Sequence, residues 1–293
     1  MDRIYLKARA KINLSLEVLN KRDDNYHNIK SIFQKINLYD EIYIEKNDSN
    51  EFKLETNIES LNNTENIIYK AYLKLKEKYD NISGIKIILK KKIPMQAGLG
   101  GGSTDCASFI IGINKLFNLN ISKNEIEIIG RSLGADVVPC FYNKAVLAEE
   151  IGDKITIINS NFKYYIVIVK PNICCNTKEM YDLIDKKNKT SEAVNVSNRI
   201  IKGLIENDIG LIANNLYNTF EDVQLENDLI KNIKEKFIKN GAIGSLMTGS
   251  GSCVYGIFKD RYMAQETYKK LKIYYETYIC TSYNSKRSEK FDW

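Results

Sequence analysis

The sequence predicts an α+β fold in two domains, and three observations carry the prediction. Strand-like and helix-like periods are mixed through the whole chain: Ile85, Ile87 and Leu89 alternate with Lys86 and Lys90 as in a half-buried strand, while Ile67, Ile68, Ala71, Tyr72 and Leu75 recur at helical spacing. A loop with four glycines joins the first of these segments to a second helical pattern, at Pro94-Met95-Gln96-Ala97-Gly98-Leu99-Gly100-Gly101-Gly102-Ser103-Thr104-Asp105-Cys106-Ala107. The length of 293 residues favours two medium domains, and a polar shift at Asn159, Ser160 and Asn161 puts the boundary between 1–158 and 159–293.

The loop is where chemistry is expected. Gly98, Gly100, Gly101 and Gly102 lack Cβ, so the backbone can approach a ligand closely with its N–H groups turned outward. A helix beginning at Ser103 or Thr104, either of them a suitable cap, would aim the positive end of its dipole at an anion. The pattern is not the dinucleotide fingerprint, because Ser103 stands where a glycine is required, nor a Walker loop, because no lysine follows Gly102. Phosphate remains the expected ligand.

Composition excludes several classes. Hydrophobic residues at 44% and charged residues at 27% are ordinary globular usage. The net charge of +6 comes from 43 basic and 37 acidic residues scattered without a stripe, so no nucleic-acid partner is expected. Lys90 to Lys92, and Lys186, Lys187 and Lys189, read as a solvated strand end and a solvated loop, although the first group precedes the phosphate loop and is placed to steer an anion. Six cysteines without a Cys-x-x-Cys pair read as free thiols in a reducing cytosol. No signal-like or membrane-spanning apolar run is present, so a cytoplasmic protein without membrane contact is expected.

Other segments supply candidate groups. Lys11 and Asn13 share one face if 8–14 is extended. Tyr26 and His27, the only histidine, follow a turn at Asp23-Asp24-Asn25. Helices are expected at 62–78, 122–133, 177–184, 197–206, 211–216, 229–240 and 263–274, the second with Ser122 and Glu125 as a capping box. Strands are expected at 29–38, at 164–169, at 253–258 and near 278–283, the last followed by a polar tail. Asp136 lies among apolar residues ahead of Pro139, as a helix cap or as a chemical group, with Lys11 a candidate partner. Met247-Thr248-Gly249-Ser250-Gly251-Ser252 forms a second glycine turn.

Taken together, Ala10-Lys11-Ile12-Asn13-Leu14, the 94–107 loop and the 247–251 turn resemble the GHMP superfamily of small-molecule kinases over nearly the whole chain. The additional stretches Asn25-Tyr26-His27 and Leu133-Gly134-Ala135-Asp136 resemble the branch of that superfamily acting on a cytidine diphosphate-linked methylerythritol. The resemblance implies transfer of the ATP γ-phosphoryl group to the 2-hydroxyl of the methylerythritol portion, in a cleft between an N-terminal ATP-binding domain and a C-terminal domain. It implies Asp136 as catalytic base beside Lys11, and Pro94 to Thr104 as the ATP site. Asn13 would hold the methylerythritol end, Tyr26 would stack on cytosine, and His27 would hydrogen-bond it. Tyr181 would lie on the base's opposite face, with Thr177 close by. Mg²⁺ is the expected metal, with Ser103 and Asp105 near its place and no ligand cluster in the sequence. Val138 stands where the family has proline, and Asn143-Lys144 where it has a glycine pair. A kinase for another small molecule, or a nucleotide sensor without catalysis, are the alternatives.

Overall fold

The computed structural model describes residues 1–188, 190, 195–223 and 228–285; Lys189 and the predicted tail from 286 onward lie outside the described residues. β1 (Arg3–Lys21) and β2 (His27–Asn47) form one long antiparallel ribbon where shorter pieces were expected. The turn between them contains Asn25 at φ 65°, a conformation asparagine tolerates. Irregularities in β1 are absorbed as register shifts, between Arg9 and Lys11 and again between Asn13 and Ser15. The Lys11 N–H bonds the Leu99 carbonyl instead of a strand, at 3.0 Å, which ties β1 to the glycine loop.

β3 (Phe52–Thr56) runs parallel to β4 (Gly84–Lys90), with α1 (Ile67–Lys78) between them in sequence. The expected helix at 62–78 starts late because Asn66 caps it, accepting the Ile68 N–H at 3.0 Å. α2 (Gly101–Phe117) follows the glycine loop and is buried over most of its surface, packed against β1, β2 and α1. α3 (Lys123–Leu133) is capped by Ser122, which accepts from the Glu125 N–H; the Glu125 carboxylate turns instead to Lys78 and Tyr79, so only half of the capping box forms. α4 (Val137–Cys140), β5 (Val146–Glu150) and β6 (Lys154–Ile157) complete this part, and the first sheet has order β3-β4-β2-β1, with β5 on β2 and β6 on β5.

β7 (Tyr165–Lys170) opens the second part. α5 (Thr177–Lys187), α6 (Val196–Glu206) and α7 (Ile209–Ala213) lead to β8 (Tyr217–Asn218), a short strand that crosses over to pair parallel with β1. The helix expected at 211–216 therefore runs over Ile209–Ala213 instead. α8 (Thr219–Val223), α9 (Asp228–Lys239), β9 (Gly244–Met247), β10 (Val254–Phe258), α10 (Arg261–Leu271) and β11 (Glu276–Thr281) follow, and the second sheet is antiparallel with order β11-β7-β10-β9.

One buried cluster fills the space between the first sheet and α1, α2 and α3. Another joins Ala10, Ile12, Leu14, Ala97 and Leu99 to Leu246, Cys253 and Tyr255, so both glycine turns rest on one apolar floor. That floor fixes their separation. Among the described residues no helix is long and apolar enough to cross a membrane.

Candidate active site

The glycine loop is pinned from below. Ala97 and Leu99 are buried, while Met95 and Gln96 face outward. Gly98, at φ +72°, passes so close to the second turn that a Cβ would sit 2.0 Å from the Thr248 carbonyl oxygen. Gly100, at φ +66°, is the actual N-cap of α2, in place of Ser103 or Thr104, and a Cβ there would press on the Lys11 side chain at 3.0 Å. Thr104 is fully buried: its hydroxyl donates to the Arg9 carbonyl at 2.7 Å and accepts from Lys35 at 3.1 Å. It supports the loop from behind rather than facing a ligand. The amides of Gly101, Gly102 and Ser103 are the orphan donors of the first turn, and nothing lies within 4 Å of a Cβ built on Gly102. That open side borders a cavity of about 420 Å³, lined by Leu89, Lys91, Asp105 and Pro94 to Ser103, and by Leu61, Glu65, Asn66 and Ile67 on the approach to α1. These last four were not found from the sequence; the Asn66 cap was the signal available.

Lys11 runs along Gly100 and ends between two partners. Its Nζ donates to Asn13 Oδ1 at 2.9 Å and lies 3.4 Å from Asp136 Oδ2. The lysine side chain is only 3% exposed whereas that of Asp136 is 45% exposed, so the carboxylate is at the opening and the amine behind it. The Phe33 ring, 4.8 Å from Nζ, adds a cation–π contact. Asp136 occupies the N-cap position of α4 but its side chain makes no cap bond and is turned to Lys11. Val138 is fully buried and α4 forms despite the missing proline.

Asn13 is the junction of the two turns. Its Oδ1 accepts from Lys11, from the Gly249 N–H at 3.0 Å and from the Thr248 hydroxyl at 3.2 Å, and its Nδ2 donates to Ser31 at 2.8 Å. Asn13 is fully buried and its amide is engaged, so it braces Lys11 instead of standing open to a ligand.

The second group lies at the far end of the β1–β2 ribbon. Tyr26 is 59% exposed. His27 is buried, its Nε2 is 2.7 Å from Asp185 Oδ1, and its ring stacks on Tyr181 with centroids 5.0 Å apart at 20°. A base needs about 7 Å between two flanking rings, so none fits between His27 and Tyr181; one Tyr181 face is turned to His27, and the Phe220 ring meets Tyr181 edge-on with centroids 5.0 Å apart. Burial, with a smaller push from the Asp136 carboxylate, raises the Tyr181 hydroxyl to about 12, so it stays protonated at neutral pH. Thr177 opens α5 and its hydroxyl is 2.8 Å from that of Ser250, linking this helix to the second glycine turn.

The lysine run corrects the sequence reading. Lys91 is not solvated: it is buried between Asp40 and Asp105, at 2.5 and 2.6 Å. Burial lowers the Lys91 pKa, but the two carboxylates outweigh it and raise it overall. Two acids share one ammonium, and burial together with Asp40 pushes Asp105 well above the usual carboxylate range. Lys92 pairs with Glu41 at 2.9 Å, and Lys90 lies over the Tyr43 ring, so neither lines the cavity.

Known proteins share this framework. The family model described as the GHMP kinases N terminal domain matches residues 66–144, and that for the GHMP kinases C terminal matches 200–277, together more than half of the chain. A 4-diphosphocytidyl-2-C-methyl-D-erythritol kinase of Caldicellulosiruptor saccharolyticus is 40% identical over 285 residues, covering 95% of this chain and 96% of that one. The chain belongs to the 4-diphosphocytidyl-2-C-methyl-D-erythritol kinase family of GHMP kinases. A kinase of the same name from Clostridium botulinum is 42% identical over 91% of this chain and 95% of its own. The crystal structure of a 4-(cytidine 5'-diphospho)-2C-methyl-D-erythritol kinase superposes with a TM-score of 0.84 at 24% identity, covering 96% of this kinase and all of that chain. A homoserine kinase from Cytophaga hutchinsonii shares the fold with a TM-score of 0.72 at 20% identity, over 96% of this kinase and 95% of that chain. This kinase is an ATP-dependent small-molecule kinase of the α+β GHMP fold.

Proposed function

We propose that this kinase transfers the γ-phosphoryl group of ATP to the 2-hydroxyl of 4-diphosphocytidyl-2-C-methyl-D-erythritol, a step of non-mevalonate isoprenoid biosynthesis. The carrying observation is the Lys11–Asp136 pair, 3.4 Å apart, with Lys11 running along Gly100 of the phosphate loop. In this reading residues 1–158 form the ATP-binding domain, 159–293 form the C-terminal domain, and the reaction takes place in the cleft between them.

The phosphates lie against the α2 N-terminus, where amides and helix dipole favour negative charge without reorganising during reaction. The substrate hydroxyl attacks the γ-phosphorus, the bond from phosphorus to the β–γ bridging oxygen breaks, and ADP leaves. Asp136 orients that hydroxyl and takes its proton as the new bond forms, since a carboxylate is too weak a base to remove it earlier. Lys11 balances the charge gathering on the transferred group. Asn13 keeps Lys11 in place while the second glycine turn holds Asn13.

Mg²⁺ would neutralise phosphate charge when bound. Asp105 lines the cavity with Oδ2 tied to Lys91 and Oδ1 buried without a partner, and the described residues contain no group of three acids, cysteines or histidines able to hold a metal. The donor set therefore fits a metal carried mainly by the nucleotide's own phosphates and water, with Ser103 the nearby hydroxyl.

The test is purified protein with ATP, Mg²⁺ and a panel of the cytidylated substrate, mevalonate and homoserine. The 2-phosphate of the cytidylated compound is expected; phosphorylation of mevalonate or homoserine alone would reassign the substrate, and ATP binding without any product would favour a sensor. Tyr26→Ala is expected to raise the KM for the cytidylated substrate by the equivalent of about 1 to 3 kcal/mol of stacking with the KM for ATP unchanged. A change confined to ATP would contradict that role.

A further inference from the structure

We propose that Asp185 fixes the tautomer of His27 and so makes the site accept cytosine and refuse uracil. This rests on the reading above that His27 meets the pyrimidine base. Asp185 lies on α5 one turn after Tyr181, with Oδ1 2.7 Å from His27 Nε2 and Oδ2 2.5 Å from Lys21 Nζ. An acid one turn beyond the aromatic was the sequence signal for it.

The Lys21 hydrogen bond, and after it that of His27, outweigh partial burial and hold the Asp185 carboxyl below its usual value. At neutral pH it is ionised and can only accept. Nε2 must therefore carry a proton, and in the neutral imidazole Nδ1 is then the bare acceptor. Tyr181 covers a face of the ring, which leaves an edge for contact with a base. Among the described residues Nδ1 has no hydrogen-bond partner and is not fully sealed from solvent, which leaves it as the ring's open polar atom.

An acceptor at Nδ1 pairs with the 4-amino group of cytosine. Uracil presents a carbonyl oxygen at that position, so two acceptors would face each other and neither would be satisfied. With Asn at 185 the amide can donate to Nε2 instead, which moves the ring proton to Nδ1 and turns the preference towards uracil. Asp185 is a positioning residue: it acts through His27 and touches no reacting atom.

Because His27 is the only histidine of 293 residues, ¹H–¹⁵N correlation spectra of labelled protein report a single imidazole. In the unsubstituted protein, at a pH where the ring is neutral, the proton is expected on Nε2, with a shift towards Nδ1 protonation in Asp185→Asn. Calorimetry with CDP and UDP should give a CDP preference that falls by roughly ten- to a hundredfold in Asp185→Asn. Failure of the unsubstituted protein to bind CDP would overturn the substrate reading and this proposal with it. CDP binding with an unchanged CDP:UDP ratio, or an unsubstituted ring protonated at Nδ1, would overturn this proposal alone.

Discussion

Asp136→Asn is expected to lower kcat by about 10²- to 10⁴-fold, the range for loss of a positioned general base, with the KM for ATP within about twofold of the original. The carboxylate is 45% exposed and makes no cap bond, so the amide should leave the fold intact; what disappears is the proton acceptor beside Lys11. Steady-state kinetics with each substrate varied in turn separates the two effects. A kcat within about threefold of the original would remove Asp136 from proton transfer.

Gly98→Ala should destabilise the protein by about 3 to 5 kcal/mol, because left-handed backbone strain and a backbone clash act together. The new Cβ would stand 2.0 Å from the Thr248 carbonyl oxygen and 2.8 Å from its carbon, atoms that cannot rotate away. Relief requires the second glycine turn to move, which would break its bonds to Asn13 and release Lys11. Gly102→Ala is the control: beyond its chain neighbours and its own helix backbone no atom lies within 4 Å of its Cβ, so stability should hold while the KM for ATP rises as the methyl group meets phosphate. Thermal unfolding of both variants measures the contrast. Equal stabilities would mean that the approach of the two turns is not under constraint.

The parts of the site that chain-local rules govern were legible in the sequence. The glycines before a helical pattern located the turn into α2, the two-residue period put Lys11 and Asn13 on one face, and Ser122 marked the start of α3. What depended on distant partners was not. Lys90, Lys91 and Lys92 look alike in sequence, yet only Lys91 turns inward, because Asp40 and Asp105 arrive from β2 and α2 to receive it. Gly100 takes the cap from Ser103 and Thr104 because Lys11 lies across it and the Thr104 hydroxyl is claimed by Arg9. β8 escaped notice because two residues carry no period, and only pairing with β1 makes them a strand. Asp185 gained its meaning from His27, 158 positions away.

The most direct test of the central claim is a double-mutant cycle on kcat/KM for the cytidylated substrate, using Lys11→Met, Asp136→Asn and the pair. If the ammonium and the carboxylate act as one unit, the double variant should be about as slow as the slower single variant. Losses that multiply would mean that the two groups work independently, and the account of a shared catalytic centre beside the glycine loop would be contradicted.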